Sequence, residues 1–317
     1  MTGLLEGAPP AGPAAAAPAA SGAARGVPPA VRRAGSALLG VAVLLAAWEL
    51  YRALGPTAGV EVGGQRVLPR ADPRSMPGVL EVLRTLGTPE VAVPGSRTVG
   101  AAVLAAAWGT LRTAAAGWLL GAAVGIALAV LMQRLRVAER GLLPYVVLSQ
   151  TVPVIAVAPL VAAWGGRLRL TPELTWQPWT SVVVLSAFLA FCPVAVGVLR
   201  GLQSPAPAAV ELFAALHASR RQTLLRLRLP ASLPFLLPAL RLAAAQAVVG
   251  SIVAEISTGT RGGTGRLVLQ YAQQATSAPG RLYAAVLGAA LLGLLAAGCV
   301  ALLETVLLRT RTPGRNP

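Results

Sequence analysis

The sequence predicts an all-α integral membrane protein with about six transmembrane helices, and three observations carry that expectation. The 317 residues are 55% hydrophobic and only 12% charged, against about 25% charged in an ordinary soluble chain. Mean hydropathy is +0.68. Apolar runs recur at about 36–54, 111–132, 142–164, 180–199, 232–257 and 283–308, each near the roughly 20 residues that cross a hydrocarbon core as a helix.

Residues 1–35 are mostly Ala, Pro and Gly. Such a segment buries too little surface to offset its ordering entropy, and it is expected to be disordered. Arg32 and Arg33 precede the first run, which fits an uncleaved first span with a cytoplasmic amino end. Segment 55–107 is polar and turn-rich, punctuated by Pro69, Pro73 and Pro77, with a short amphipathic helix expected over Met76–Leu86. Gly117, Gly121 and Gly125 form a small-residue ridge on the second span, which permits close helix approach within one chain or across a dimer.

The third run is interrupted by Gln150, Thr151 and Pro153, and again by Pro159. Irregular backbone at membrane depth persists only where it is buried in protein or lines a cavity, so Gln150 and Thr151 are candidate solute-path residues. Trp164, Trp176 and Trp179 bracket the next link as an interfacial belt. On the fifth run, Gln246, Ser251 and Glu255 are further path candidates. An ionisable group in a span is costly and often functional. Glu255 either faces a translocation cavity or pairs at the interface. Arg241 reads as a packing or headgroup contact, and Glu49 and Glu304 as snorkelling groups near span ends.

Charge excludes some functions and sets an orientation. The net charge of +16 rests entirely on Arg, scattered through short loops without interleaved aromatics, which argues against nucleic-acid binding. Arg134, Arg136 and Arg140 lie in one short link, Arg200, Arg220, Arg221, Arg226 and Arg228 in another, and Arg309, Arg311 and Arg315 follow the last run. The positive-inside rule places these links and both termini in the cytoplasm. Cys192 and Cys299 lie in apolar runs and read as small buried hydrophobes. No catalytic nucleophile–base pair and no metal-ligand cluster is legible. The Gly-rich stretch 254–267 lacks the Gly-Lys-Ser/Thr signature of a phosphate loop and reads as an outer link.

Residues 211–230 form a polar, Arg-bearing island between the fourth and fifth runs. Ser204 and Pro205 suit the start of a helix. Val210, Phe213 and His217 share one face of it, with Leu212 and Leu216 beside them. Ser219 and Gln222 have the spacing of a capping box that starts a second helix at Arg220, and Pro230 predicts its end near Arg228.

This island resembles the cytoplasmic Glu-Ala-Ala loop of bacterial ATP-binding-cassette (ABC) importer permeases. Glu211, Ala218, Ser219, Leu227, Leu229 and Pro230 hold the motif's places, while Leu212 and Phe213 replace its two Ala and His217 replaces its Gly. The Gly replacement predicts a less tight corner. Pro153 to Leu160, Leu229 to Phe235 and Val253 to Ile256 are similar to the branch serving sulfonates, taurine and nitrate. Ala254–Gly259 with Gly262–Leu267 and Tyr271 resembles members serving thiamine-pyrimidine precursors or riboflavin.

The resemblance implies a type I importer permease fold, with a permease domain over 36–309, a cytoplasmic coupling loop over 200–231 and a tail over 310–317. It assigns ATPase coupling to Glu211, Leu212, Phe213, His217, Ala218, Ser219, Leu224, Leu227, Leu229 and Pro230. It further implies separate ATPase subunits that bind ATP and Mg, a second permease subunit, a solute-binding protein and residence in the bacterial cytoplasmic membrane, with no cofactor in this chain. An ion-coupled secondary transporter or channel is the rival class. A membrane-embedded enzyme would need the clustered His, Asp or Glu that this sequence lacks.

Overall fold

A computed structural model describes residues 29–62, 65–91, 93–167 and 175–309. The disorder expected for the amino terminus lies outside the described residues as far as residue 28, as does the tail 310–317. The chain divides into two compact units, residues 1–50 and 51–317. In the first, helix α1 (Pro29–Leu54) covers the first expected span and starts several residues ahead of it.

Among the described residues, the regular structure of the second unit is helical apart from one antiparallel hairpin, β1 (Val60–Val62) and β2 (Gln65–Leu68), which the sequence reading did not anticipate, and an isolated bridge between Pro89 and Thr98. The expected short helix is α2 (Val79–Thr85). Then follow α3 (Val99–Arg134), α4 (Arg136–Leu148), α5 (Val154–Gly165), α6 (Pro178–Leu202), α7 (Pro207–Ala215), α8 (Arg220–Thr223), α9 (Leu229–Thr258), α10 (Thr264–Ala272) and α11 (Pro279–Arg309). Among the described residues, four helical stretches are long and apolar enough to cross a membrane, and a fifth if α4 and α5 count as one span.

That α4–α5 pair is bent by 102° around a 3₁₀ turn, Ser149–Thr151. The bend falls at the polar, proline-broken point of the third run, because Pro153 cannot donate its backbone bond and pushes Val152 to an extended conformation. Helix α3 begins at Val99, well ahead of the span expected from 111. Thr98 caps it, its hydroxyl accepting from the Ala101 amide at 3.2 Å. At 1.5 Å per residue its 36 residues exceed a bilayer's thickness.

Helices α3, α6 and α9 pack against one another at the centre, and α11 lies against α9 and α3. The core is apolar and rich in small side chains. Small residues such as Ala129, Ala158, Ala190, Ala195, Ala243 and Ala254 are fully buried, while Leu104, Leu119, Leu294 and Leu295 are more than 60% exposed. Lipid tails reward that pattern, since close backbone packing, not apolar burial, drives helix association in a bilayer.

The glycine ridge shows the mechanism. A Cβ on Gly121 would lie 2.8 Å from the Ala187 carbonyl oxygen and 2.8 Å from the Ala190 Cβ, and one on Gly125 would lie 2.6 Å from the Phe191 oxygen. The ridge is therefore spent within the chain, on α6.

Polar side chains close the remaining gaps. Ser186 donates to the Ala247 carbonyl at 2.8 Å and the Trp118 indole to the Leu240 carbonyl at 3.0 Å. Arg241 pairs with Glu304, joining α9 to α11, which fits the packing alternative for Arg241 and gives Glu304 a protein partner where snorkelling was expected. Trp164 and Trp179 are exposed, as belt residues would be. Trp176 instead folds over Gly165 and donates to the Ser181 hydroxyl at 2.8 Å.

Candidate functional site

The connection from α6 to α9 is held at both ends by central helices. Ser204 does not cap a helix here; its hydroxyl donates to the Gly201 carbonyl at 2.8 Å and keeps the chain on the end of α6. Helix α7 opens two residues later than expected, with Pro207 in its first turn, where a missing N–H costs nothing.

Helix α7 ends at a closed corner. The His217 amide donates to the Ala214 carbonyl and the Ala218 amide to the Phe213 carbonyl, both at 2.9 Å. This is a Schellman closure, and it places residue 217 in the left-handed region, φ 53°. The expectation of a looser corner is therefore corrected. The backbone bonds enforce the tight geometry, and His217 bears a strain that glycine would not.

The capping box forms as expected. Ser219 Oγ accepts from the Gln222 amide at 3.2 Å, and Gln222 Oε1 accepts from the Ser219 amide at 2.7 Å. Pro230 does not end the second helix. A π-helical turn, Leu224–Arg228, carries α8 straight into α9, with Pro230 in the first turn of α9. The wider π turn places Pro230 where its missing N–H and its ring are tolerated, so the helix runs from Arg220 to Thr258. Arg228 Nη1 donates to the Leu202 carbonyl at 2.9 Å, tying the turn to α6.

No residue of α7 is buried. Glu211 is exposed, as are Leu212 (58%) and Leu216 (70%), with Phe213 half-buried. Leu224 is buried in the central core, and Leu227 and Leu229 are half-buried at the start of the span. The coupling candidates thus separate into an exposed outer face around Glu211 and an inner hinge around Leu224.

At the opposite end of α9, Glu255 is 2% exposed. Thr110 Oγ donates to its carboxylate at 2.9 Å, and the Gly265 amide donates to it at 2.8 Å. The Thr264 amide donates to that same threonine oxygen at 2.8 Å. One carboxylate therefore joins α3, α9 and the start of α10. Gly263 lies so close to the Glu255 carboxylate that any side chain there would collide with it, and Gly262 has φ 87°.

Beside this cluster is a cavity of about 370 Å³, lined by Arg112, Thr113, Trp179, Thr260, Arg261 and the rim of Glu255 among others. Arg112 and Arg261 have no hydrogen-bond or ion-pair partner among the described residues. The remaining path candidates do not gather there. Gln150 and Thr151 are exposed at the α4–α5 bend, Gln246 is half-buried, and the Ser251 hydroxyl is fully buried without a partner. Sequence reasoning missed Thr110, Arg112 and Arg261. The available signal was an Arg beside a Thr at the edge of an apolar run, where ionisable groups are rare.

The architecture is that of a polytopic helical membrane protein whose central helices carry an exposed helical loop at one end and a polar cavity at the other. Comparison with known proteins agrees. Residues 121–308, more than half of the chain, match the family described as binding-protein-dependent transport system inner membrane component. The chain belongs to that family, and it is a permease subunit of an ABC importer.

Among its relatives is the formylaminopyrimidine transport permease protein ThiX of Halalkalibacterium halodurans, 34% identical over 206 residues that cover 64% of this chain and 76% of ThiX. The riboflavin transport system permease protein RibX of Chloroflexus aurantiacus is 32% identical over 130 residues, 41% of this chain and 44% of RibX, so less than half of RibX is matched. The crystal structure of an amino acid ABC transporter with histidines superposes with a TM-score of 0.51 at 17% identity, covering 67% of this chain and 94% of that one. That likeness supports the type I permease fold.

Proposed function

We propose that this permease passes a small organic solute across the bacterial cytoplasmic membrane by alternating access, driven by separate ATPase subunits that dock on α7 and hold the ATP and Mg. The observation that carries the reading is an α7 with no buried residue, whose Glu211, Leu212 and Leu216 face outward while both ends are anchored to central spans. A short helix so mounted transmits a push at the membrane surface into α6 and α9. The Leu side chains suit a groove on a partner, and Glu211 suits an arginine there. Leu224, Leu227, Leu229 and Pro230, with the corner at His217, Ala218 and Ser219, act as the joint to the span.

In this reading α7 and both chain termini are cytoplasmic, two permease subunits share one pore, and a solute-binding protein delivers to the opposite side. Relatives named for formylaminopyrimidine and riboflavin support a pyrimidine or flavin solute ahead of a sulfonate, taurine or nitrate. The cavity beside Glu255, with Arg112, Trp179 and Arg261, is of a size for such a molecule. Glu255 positions the walls of that cavity through Thr110 and Gly265.

The test compares the native chain with Glu211→Arg, each co-purified with the ATPase encoded beside it. Native protein retains the ATPase and couples its hydrolysis to transport, whereas the variant loses retention or coupling while still folding. An ATPase retained and coupled equally by both would remove Glu211 from the docking contact, and an ATPase retained by neither would favour an ion-coupled carrier instead.

A further inference from the structure

A second cavity, of about 400 Å³, lies against α7, and Glu211 is not among the residues that line it. Its α7 wall is the small, apolar line of Val210 and Ala214, continued by Ala218. The rest is basic. Arg134 ends α3, Arg136 opens α4, Arg220 opens α8, and Arg228 closes the π turn. No acidic side chain lines it. The side chains of Arg134, Arg136 and Arg220 have no hydrogen-bond or ion-pair partner among the described residues, and Arg228 uses one side-chain N–H on the Leu202 carbonyl. The nearby Glu139 is engaged by the Gln203 side-chain amide at 2.8 Å.

Four guanidinium groups converging on one concavity repel one another and concentrate anions. Their planar forks match phosphate oxygens in pairs, which a point charge such as Lys does not. The cavity is far larger than a single small ion needs. We propose that it is a binding site for a phosphate-bearing anion, held between Arg134 and Arg136 on one wall and Arg220 and Arg228 on the other. The anion bridges the fixed end of α3 to the loop that carries α7, and so stiffens the joint. That consequence rests on the coupling role proposed for α7; the binding itself does not.

The phosphate has two possible sources, an anionic lipid headgroup and a soluble polyphosphate. Thermal unfolding of the full chain, without the ATPase, separates them. One arm adds pyrophosphate to detergent-solubilised protein against chloride at matched ionic strength. The other compares nanodiscs of phosphatidylglycerol with nanodiscs of phosphatidylcholine. Native protein is stabilised in at least one arm, and the responding arm names the source. The double variant Arg134→Gln, Arg220→Gln weakens that response about tenfold or more, the loss expected from removing charge-assisted contacts. Its unfolding midpoint without anion matches or exceeds the native one, because like charges have been removed, so misfolding is recognised separately. If neither phosphate probe distinguishes native protein from the variant, the proposal is overturned. Because no ATPase enters the phosphate arms, their outcome is independent of the Glu211→Arg test.

Discussion

At the scale of single residues, His217 and Glu255 carry opposite lessons. His217 occupies a left-handed position because the corner's backbone bonds demand one, and a non-glycine residue there costs about 1–2 kcal/mol. His217→Gly is therefore expected to raise the unfolding midpoint in detergent, a gain of about 1 kcal/mol, with ATPase stimulation retained; an unchanged or lower midpoint would show that the strain is offset locally. The position was legible because the resembling motif has glycine there. The closure was not, because it depends on carbonyls of Phe213 and Ala214 that sequence spacing does not orient. Glu255 stood out as an ionisable group in an apolar run. Its partners were invisible, since Thr110 lies 145 residues away and the Gly265 donor is backbone.

At the scale of helices, the apolar periodicity and the punctuation by Pro and Gly located most elements but misjudged their ends. Helix α3 starts well ahead of its expected span because Thr98 supplies a cap and nothing polar interrupts Val99 to Ala107. Pro230 marks a register change and not a stop, because a π turn precedes it. The glycine ridge gives a paired prediction. Gly121→Ala places a Cβ 2.8 Å from α6 and should destabilise by about 1–3 kcal/mol through overpacking. Gly141→Ala meets open space on α4 and should stabilise by about 0.5–1 kcal/mol through helix propensity. Melting curves in one detergent compare the two, and equal shifts would refute the ridge as an α3–α6 contact.

At the scale of the whole molecule, the segment before α3 is tied to α10 by Glu90. Its carboxylate pairs with Arg97 and accepts from the Tyr271 hydroxyl at 3.1 Å. The Arg97 hydrogen bond holds Glu90 below its ordinary value of 4.5, and burial pushes the Tyr271 phenol up to about 12. A lowered carboxylate favours the folded state above the ordinary value, and that share is lost as pH falls from 4.5 through the lowered folded value. A raised phenol favours it below pH 10, and that share is lost as pH rises from 10 toward about 12. Because Arg97 is 59% exposed, solvent screening keeps the ion pair's share to about 1 kcal/mol or less. The midpoint difference between native protein and Glu90→Gln should shrink as pH falls below 4.5; a constant difference would remove Glu90 from the acid response. The sequence by itself determined the membrane class, the succession of apolar helices and the α7 loop, because hydropathy, helix caps and a contiguous motif are local properties of the chain. Only the tertiary structure decided that the glycine ridge is spent on α6, that Glu255 joins three helices, and that arginines from α3, α4, α8 and the π turn surround one cavity. Those arrangements depend on which faces of distant helices meet, and no local pattern in the chain encodes that.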